Sequence, residues 1–186
     1  AIMLILASNS ERRKKLLTDI GVEFISVSNK VNEKVDKKLK PNQIVMILSK
    51  RKADAALETH PEDTIIAADT IVYFEGEVLG KPKSNDDAFE MLKKLRGNKH
   101  SVYTGVTILN KHKEKTFYSK ADVYMNNYND LNIYEYIQTK EPKGKAGAYA
   151  IQGEGGKLVE KYTGDFFTIV GLPVKQIKKV LKEFTY

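Results

Sequence analysis

A polar turn near the amino terminus is the first stretch whose residues could do chemistry. The apolar segment Leu4–Ala7 runs into Ser8–Ser10, and the doublet Arg12 and Arg13 follows. A helix that begins here would present free backbone N–H groups and the positive end of its dipole, which bind phosphate well. Only four of the 31 basic residues are arginines, so a doublet favours bidentate binding of an anion. A solvated first turn of a surface helix is an equal alternative.

A carboxylate inside an apolar stretch is the second candidate. Asp69 stands between the apolar segments Thr64–Ala68 and Ile71–Phe74. Burying a carboxylate in a strand costs free energy unless it is paired or bound to a metal. Such a break in a local rule favours a functional site over the alternative, a strand that ends at Ala68 with an exposed turn after it. Lys81, in a Gly-Lys-Pro turn, is a third candidate because its rigid neighbours would fix a cation.

Composition limits the classes of protein that can carry these residues. The 186 residues include no cysteine, which excludes disulfides and thiolate metal sites. They are most simply one domain. The net charge of +7 comes from lysines scattered through every segment, which disfavours a nucleic-acid interface. No apolar run reaches membrane-spanning length, and Ala1–Ala7 is too short and uncharged for a signal peptide. We therefore expect a soluble cytoplasmic protein.

Periodicity and turn residues predict the elements that must position the candidates. Helices are expected where apolar residues recur at helical spacing, at Ser10–Ile20, Pro41–Leu57, Asp86–Leu95, Asp130–Gln138 and from Val174 to Phe184. Strands are expected at Leu4–Ala7, Val22–Val27, Thr64–Phe74 around Asp69, Val78–Leu79, Ser101–Leu109, Lys115–Met125, Leu158–Tyr162 and Phe166–Val170. The two kinds of element are mixed without regular alternation, which predicts a mixed α/β fold and not a simple doubly wound one.

Two of the predicted loops carry polar residues of interest. The charged stretch Asn29–Pro41 holds Glu33 and Asp36. The stretch Gln152–Gly156 contains three glycines, which predicts a backbone flexible enough to close over a ligand.

Five segments together carry a family resemblance: LASNSERRKKLL, IIAADTIVYFEGEVLGKP, HSVYTGV, KAGAYAIQGEGG and TGDFFTIVGLP. They resemble, in order and spacing, the motifs of the Maf family of septum-formation-inhibitor-like nucleoside triphosphate pyrophosphatases. The resemblance implies metal-dependent hydrolysis of a nucleoside triphosphate to the monophosphate and pyrophosphate. It also implies an elongated mixed α/β fold related to inosine triphosphate pyrophosphatases, with a cleft between two lobes. One departure is Glu11, where the family usually has proline; an acid suits a helix amino terminus.

The resemblance also implies roles for individual residues. Asp69 corresponds to the catalytic proton acceptor for the attacking water. With Glu33 it would hold a divalent ion, and Mg²⁺ or Mn²⁺ suits such oxygen ligands. The residues implied to bind the phosphates are Ser8, Arg13, Lys52 and Lys81.

The preferred base is implied by three further residues. Arg12, Thr70 and Gln152 match the subgroup that prefers dTTP and UTP. The amide of Gln152 offers both a donor and an acceptor to the edge of uracil or thymine. No catalytic role is expected for the unclustered histidines His60, His100 and His112.

Two alternatives stay open at this point. One is the same chemistry on another or a modified base, such as 7-methyl-GTP. The other is a non-catalytic regulator of cell division that binds nucleotides or nucleic acid. The expected partner is a nucleoside triphosphate. No membrane partner is expected, nucleic acid is disfavoured as a partner, and a homodimer remains an open alternative. An enzyme is favoured because a pure phosphate-binding site would not place two acids near the phosphates.

Overall fold

The computed structural model describes residues 3–184. Its α-helices, numbered in chain order, are α1 Glu11–Asp19, α2 Pro41–Thr59, α3 Asn85–Leu95, α4 Asp130–Gln138, α5 Phe166–Val170 and α6 Val174–Leu181. Its strands are β1 Leu4–Leu6, β2 Ile25–Ser26, β3 Thr64–Phe74, β4 Glu77–Leu79, β5 Lys99–Leu109, β6 Glu114–Met125 and β7 Val159–Thr163. Two short 3-10 helices, Ala146–Ala148 and Glu154–Leu158, complete the regular structure.

The strands form a mixed sheet in the order β2-β1-β3-β5-β6-β7, with β4 paired to β3. Strand β1 pairs in parallel with both β2 and β3. The pairs β3–β4 and β6–β7 are antiparallel. Parallel pairs require long crossovers, here supplied by α1 and α2, whereas the antiparallel pair β3–β4 needs only a tight turn. The expected mixed α/β fold is confirmed.

The described residues fall into two compact units, each assembled from separate stretches of chain. Unit one comprises residues 3–69, 104–119 and 171–184, and unit two comprises residues 70–103 and 120–170. Each unit has its own hydrophobic core. The expectation that the whole chain is one domain stays a prediction.

In unit one, helix α2 packs tightly on β5. A Cβ at Gly105 of β5 would collide with the backbone carbonyl of Val45 in α2, so only glycine allows this close approach. One turn further along α2, the Ser49 hydroxyl makes a 2.9 Å hydrogen bond to the Thr107 hydroxyl. These contacts fix the face of α2 that carries Lys52.

The core of unit two is built from α3, α4 and the strand segments of this unit. Its fully buried side chains include Leu92, Leu95 and Ile133. The Tyr128 hydroxyl donates to the backbone carbonyl of Leu92, and Arg96 pairs with an aspartate at the start of α4 across 2.7 Å. The two helices are therefore joined by these polar bonds as well as by apolar packing.

One predicted strand is wrong, because Phe166–Val170 is a short helix. Its aromatic and β-branched residues favour a strand. The Asp165 side chain, however, accepts a 2.9 Å hydrogen bond from the Phe167 N–H, and the Asp165 carbonyl accepts one from the Thr168 N–H. These local bonds start a helical turn and override the propensity of the residues.

Of two other predicted strands, one is much shorter than expected and one has the expected bounds. The predicted strand Val22–Val27 shrinks to the two residues Ile25 and Ser26. Strand β3, by contrast, continues without a break from Thr64 to Phe74, which overturns the alternative of a strand that ends at Ala68. The carboxylate of Asp69 therefore does lie inside a strand.

Among residues 3–184, no helix is both long and apolar enough to cross a membrane. The cytoplasmic location and the homodimer that the sequence left open stay predictions.

Candidate active site

Asp69 lies on the face of β3 that packs against α2. Side chains alternate along a strand, so Ile65, Ala67 and Asp69 share one face. Ile65 and Ala67 belong to the core of unit one together with Ala53 and Ala56 of α2. Asp69 continues this face and is only 8% exposed. A carboxylate is thus placed at the end of an apolar interface, directly opposite α2.

Lys52 of α2 is the main partner of this carboxylate. Its Nζ donates to Asp69 Oδ1 at 2.7 Å, and it lies 3.5 Å from Glu33 Oε1. Lys52 and Asp69 have side chains that are only 20% and 11% exposed, whereas Glu33 is largely exposed. The ammonium group therefore stands between two carboxylates in a partly desolvated place, where charge pairing is stronger than at the open surface.

The second oxygen of Asp69 has unused capacity to accept a hydrogen bond or bind a cation. Asp69 Oδ2 is buried and has no hydrogen-bond partner among residues 3–184. A buried polar atom without a partner costs free energy, and in functional sites it often faces an ion, water or substrate. No three acidic or histidine side chains in the described part of the chain gather into a metal site by themselves. Asp69 and Glu33 nevertheless fit Mg²⁺ or Mn²⁺, because Mg²⁺ commonly takes one or two carboxylates and completes its shell with waters and substrate phosphates.

The loop that carries Glu33 is held by Arg51, the neighbour of Lys52 on α2. Arg51 Nη1 donates to the backbone carbonyl of Asn32 at 2.8 Å and to that of Lys34 at 2.6 Å. These two carbonyls flank Glu33 in the chain. The two adjacent basic residues on α2 therefore have different contacts: Arg51 holds the loop backbone, and Lys52 contacts the carboxylates.

The turn before α1 has the predicted form. Ser10 is the N-cap of α1, and its hydroxyl accepts from the Arg13 N–H at 3.3 Å. The Ser8 hydroxyl accepts from the Ser10 N–H at 3.2 Å, and Ser8 is nearly buried. Glu11 pairs with Lys14 on the exposed side. The departure from the family's proline is thus accommodated by an N-terminal acid and an ion pair within the first turn.

Arg13 extends from α1 toward Asp69 and the carboxyl-terminal stretch of unit one. Its Nε donates to the backbone carbonyl of Gly171 at 2.8 Å, which orients the planar guanidinium. Burial is the main cause that lowers the pKa of Arg13 to about 10, and the charge of the neighbouring Arg12 lowers this pKa further. The charge of Asp69 has the opposite effect. The guanidinium therefore stays charged at neutral pH and lies within electrostatic range of the Asp69 carboxylate.

Contacts join some of the predicted residues directly, whereas others belong to the second compact unit. Direct contacts join Lys52 to Asp69 and Glu33, and Arg13 interacts electrostatically with Asp69. Six predicted residues belong to unit one: Ser8, Arg12, Arg13, Glu33, Lys52 and Asp69. The other three belong to unit two, where Thr70 is half-buried and Lys81 and Gln152 are exposed.

Arg51 is a residue of this site that sequence reasoning missed. Its neighbour Lys52 is implied only by the family resemblance, and no motif or pattern in the sequence points to Arg51. The available signal was its residue type, because Arg51 is one of only four arginines in a chain rich in lysine. A single terminal nitrogen of a guanidinium carries two N–H donors, which suits a pair of backbone carbonyls.

Comparison with solved structures identifies the class of fold. The chain aligns with the Ham1 protein of Staphylococcus aureus at a TM-score of 0.55, covering 97% of this chain and 98% of that one. The sequence identity is 13%, so this similarity concerns the fold alone. It agrees with the mixed sheet flanked by helices described above.

Sequence comparison identifies the family. The model of the family described as Maf-like protein matches residues 3–184, and the chain belongs to this family. It is 48% identical to the dTTP/UTP pyrophosphatase of Acholeplasma laidlawii, over 98% of this chain and 96% of the relative. It is 44% identical to the dTTP/UTP pyrophosphatase of Caldicellulosiruptor bescii, over 98% of this chain and 95% of the relative. The resemblance drawn from the five sequence segments is confirmed.

Proposed function

We propose that this protein is a nucleoside triphosphate pyrophosphatase that prefers dTTP and UTP. The reaction adds water across the bond between the α- and β-phosphates and yields the nucleoside monophosphate and pyrophosphate. The observation that carries the proposal is the buried Asp69 carboxylate, in which one oxygen pairs with Lys52 and the other has no partner among residues 3–184. Near-full-length similarity to relatives named dTTP/UTP pyrophosphatase supports both the reaction and the substrates.

Asp69 is proposed as the group that accepts the proton of the attacking water. Oδ1 accepts a hydrogen bond from the Lys52 ammonium, which fixes the orientation of the carboxylate. Oδ2 is then the atom that takes the proton as the water oxygen bonds to the α-phosphorus and pyrophosphate leaves. General-base catalysis of this kind typically contributes about 10²- to 10⁴-fold in rate.

Asp69 and Glu33 would hold the divalent ion. A bound Mg²⁺ or Mn²⁺ would lower the pKa of a coordinated water and neutralise charge on the phosphates. Lys52 keeps the two carboxylates near one another by contacting both. The Lys52 ammonium is also proposed to bind a phosphate oxygen of the substrate.

The remaining cations are proposed to bind the phosphate chain. Arg13 is oriented through its Nε by Gly171, and its planar guanidinium is proposed to bind phosphate oxygens bidentately. Ser8 and the first turn of α1 would add hydrogen-bond donors, and Lys81 would add a further charge. These groups act on phosphates and so serve every nucleotide alike.

Base preference is proposed to come from Arg12, Thr70 and Gln152. Gln152 is exposed on a loop of unit two, so its amide is accessible to a ligand. The amide can donate to a carbonyl oxygen of uracil or thymine and accept from N3–H. Adenine has no carbonyl oxygen at this edge, and guanine presents its O6 and N1–H on a larger, two-ring base.

Hydrolysis of a panel of triphosphates tests the proposal. The purified protein is incubated with Mg²⁺ or Mn²⁺ and dTTP, UTP, CTP, GTP, ATP or 7-methyl-GTP, and the products are separated by chromatography. We expect monophosphate and pyrophosphate, with dTTP and UTP preferred. Release of orthophosphate and the nucleoside diphosphate would contradict the proposed reaction. A preference for 7-methyl-GTP would contradict the proposed base preference. Nucleotide binding without turnover would favour a non-catalytic regulator.

A further inference from the structure

The loop that carries Gln152 is bound from behind by Tyr136 of helix α4. Tyr136 is 5% exposed. Its hydroxyl donates to Glu141 Oε1 at 2.6 Å and accepts from the Ala150 N–H at 3.0 Å. One buried hydroxyl thus joins the loop, two residues before Gln152, to the carboxylate of Glu141.

Glu141 binds the other side of the same loop. Its Oε1 accepts from the Gly155 N–H at 2.9 Å, and its Oε2 accepts from the Glu154 N–H at 3.0 Å. Hydrogen bonds to an ionised carboxylate are about twice as strong as neutral ones. Partial burial by itself would raise the pKa of Glu141, but the bonds from Tyr136 and the two loop N–H groups, aided by Lys145, lower it below its ordinary value. Glu141 is therefore charged at neutral pH and tied to the loop.

The glycines of this loop serve close packing. A Cβ at Gly153 would collide with the carboxylate of Glu141. A Cβ at Gly155 would lie 2.7 Å from both the Ala150 carbonyl and the Tyr136 hydroxyl. Sequence reasoning took these glycines as a sign of a flexible loop. In the structure they let a carboxylate and a phenol approach the backbone from within unit two.

We propose that Glu141 is a positioning residue for base selection, which acts with Tyr136 to fix the backbone on both sides of Gln152. This inference rests on the proposed function, in which the Gln152 amide recognises the base. Gln152 itself is exposed, so side-chain packing cannot hold its amide in place. A fixed backbone limits the directions in which the amide points, and a preorganised group recognises its ligand at a lower entropic cost.

The variant Glu141→Gln tests the inference while preserving size. A neutral amide has one acceptor oxygen in place of two, so it leaves at least one loop N–H group unpaired. We expect the ratio of kcat/KM for UTP to kcat/KM for GTP to fall about tenfold, consistent with the loss of one charge-assisted hydrogen bond. The kcat/KM for GTP itself should change by less than about threefold, because the phosphate-binding groups are untouched. Glu90→Gln, an exposed carboxylate on α3, is the matched control and should leave the ratio unchanged.

A double-mutant cycle separates positioning from a general structural role. If Glu141 acts through Gln152, adding Glu141→Gln to Gln152→Ala should not lower the UTP-to-GTP ratio further. A fall by the same factor in both backgrounds would overturn the inference. If Gln152→Ala lowers the ratio but Glu141→Gln does not, positioning by Glu141 is excluded while the proposed function stands. If Gln152→Ala has no effect on the ratio, base recognition by Gln152 fails, and the inference fails with it.

Two further measurements sharpen the test, and the first of them does not depend on the folding of Glu141→Gln. Tyr136→Phe removes the hydroxyl that bonds both Glu141 and Ala150, and we expect it to lower the UTP-to-GTP ratio in the same direction. Hydrogen exchange reports on the loop without any substrate. The amides of Glu154 and Gly155 should lose protection in Glu141→Gln and keep it in Glu90→Gln. Unchanged protection together with an unchanged ratio would overturn the inference.

Discussion

The Asp69 cluster in unit one and the Gln152 loop in unit two hold their functional groups in opposite ways. Asp69 is buried, and its side chain is hydrogen-bonded directly by Lys52. The side chain of Gln152 is exposed, and the backbone around it is held by hydrogen bonds to Tyr136 and Glu141. The first arrangement fixes a charge, and the second leaves a neutral amide accessible while its support is fixed.

This difference matches two different chemical tasks. A proton acceptor and metal ligand must keep its charge in place while charge develops on the phosphates, so direct ion pairing is effective. A side chain that recognises the nucleotide base must contact a planar ligand that arrives from solution, so its amide must stay accessible. We therefore expect changes at the first region to affect all nucleotides and changes at the second to affect them selectively.

The largest effect is expected for Asp69→Asn. The variant keeps the size of the side chain but removes the charge that we propose accepts a proton and holds an ion. Turnover should fall by at least about a hundredfold for every base, within the range typical of a lost general base. Initial rates on UTP, dTTP and GTP measure this effect, and circular dichroism checks the fold. Asp54→Asn, an exposed change on α2, is the control; near-normal activity of Asp69→Asn would remove Asp69 from the mechanism.

A smaller effect, on stability, is expected at His100 in the core of unit two. Its Nε2 lies 2.7 Å from the Tyr149 hydroxyl, and its buried Nδ1 has no hydrogen-bond partner among the described residues. Burial lowers the pKa of His100 from 6.5 to about 4, although the charge of Asp122 opposes this change. The unfolded chain therefore takes up a proton before the folded chain does as the pH falls below 6.5, and this favours unfolding.

The variant His100→Gln removes that proton uptake. Between pH 7 and pH 5 the wild type should lose about 2 kcal/mol more unfolding free energy than the variant. Urea unfolding at the two pH values measures the difference, in which carboxylates common to both proteins cancel. His112→Gln, at an exposed position, is the matched control. Equal losses in wild type and His100→Gln would show that this histidine is not buried in its neutral form.

The smallest effect is expected for Arg51→Met, which frees the loop around Glu33. The change keeps the length of the side chain but removes two hydrogen bonds to backbone carbonyls, at a cost of about 1 kcal/mol. The concentration of Mn²⁺ for half-maximal binding, measured by electron paramagnetic resonance, should rise about fivefold. Arg96→Met, which removes a comparable arginine in unit two, should leave it unchanged. No change in Arg51→Met would show that the loop is not held by this arginine.

The sequence predicted Asp69 better than Arg51 or Glu141 for a physical reason. A carboxylate in an apolar strand breaks a local rule, and the break is visible in the residues themselves. Arg51 and Glu141 break no such rule, because a basic helix residue and an acid before a proline are ordinary at a surface. Their importance lies in long-range bonds, across 17 to 19 residues for Arg51 and 13 to 14 residues for the loop contacts of Glu141.

The fold followed the same division between local and distant information. Helix α4 was predicted with the bounds observed, because its cap and apolar spacing are local. Strand β2 was too long in the prediction, since only two residues meet the partner strand β1. Helix α5 is an exception to this division, because its residues favour a strand but a local contact, from the Phe167 N–H to the Asp165 carboxylate, starts the helical turn.

The most direct test of the contrast between the two regions is the variant Gln152→Glu on UTP, dTTP and GTP, beside Asp69→Asn. A glutamate can only accept, so it leaves a carbonyl of uracil or thymine without its donor, at a cost of roughly 1–3 kcal/mol. Gln138→Glu introduces the same charge elsewhere in unit two and is the control. We predict that kcat/KM for UTP and dTTP falls more than kcat/KM for GTP in Gln152→Glu, and that Asp69→Asn lowers all three alike. Equal losses for all three nucleotides in Gln152→Glu, or a base-dependent loss in Asp69→Asn, would contradict the account.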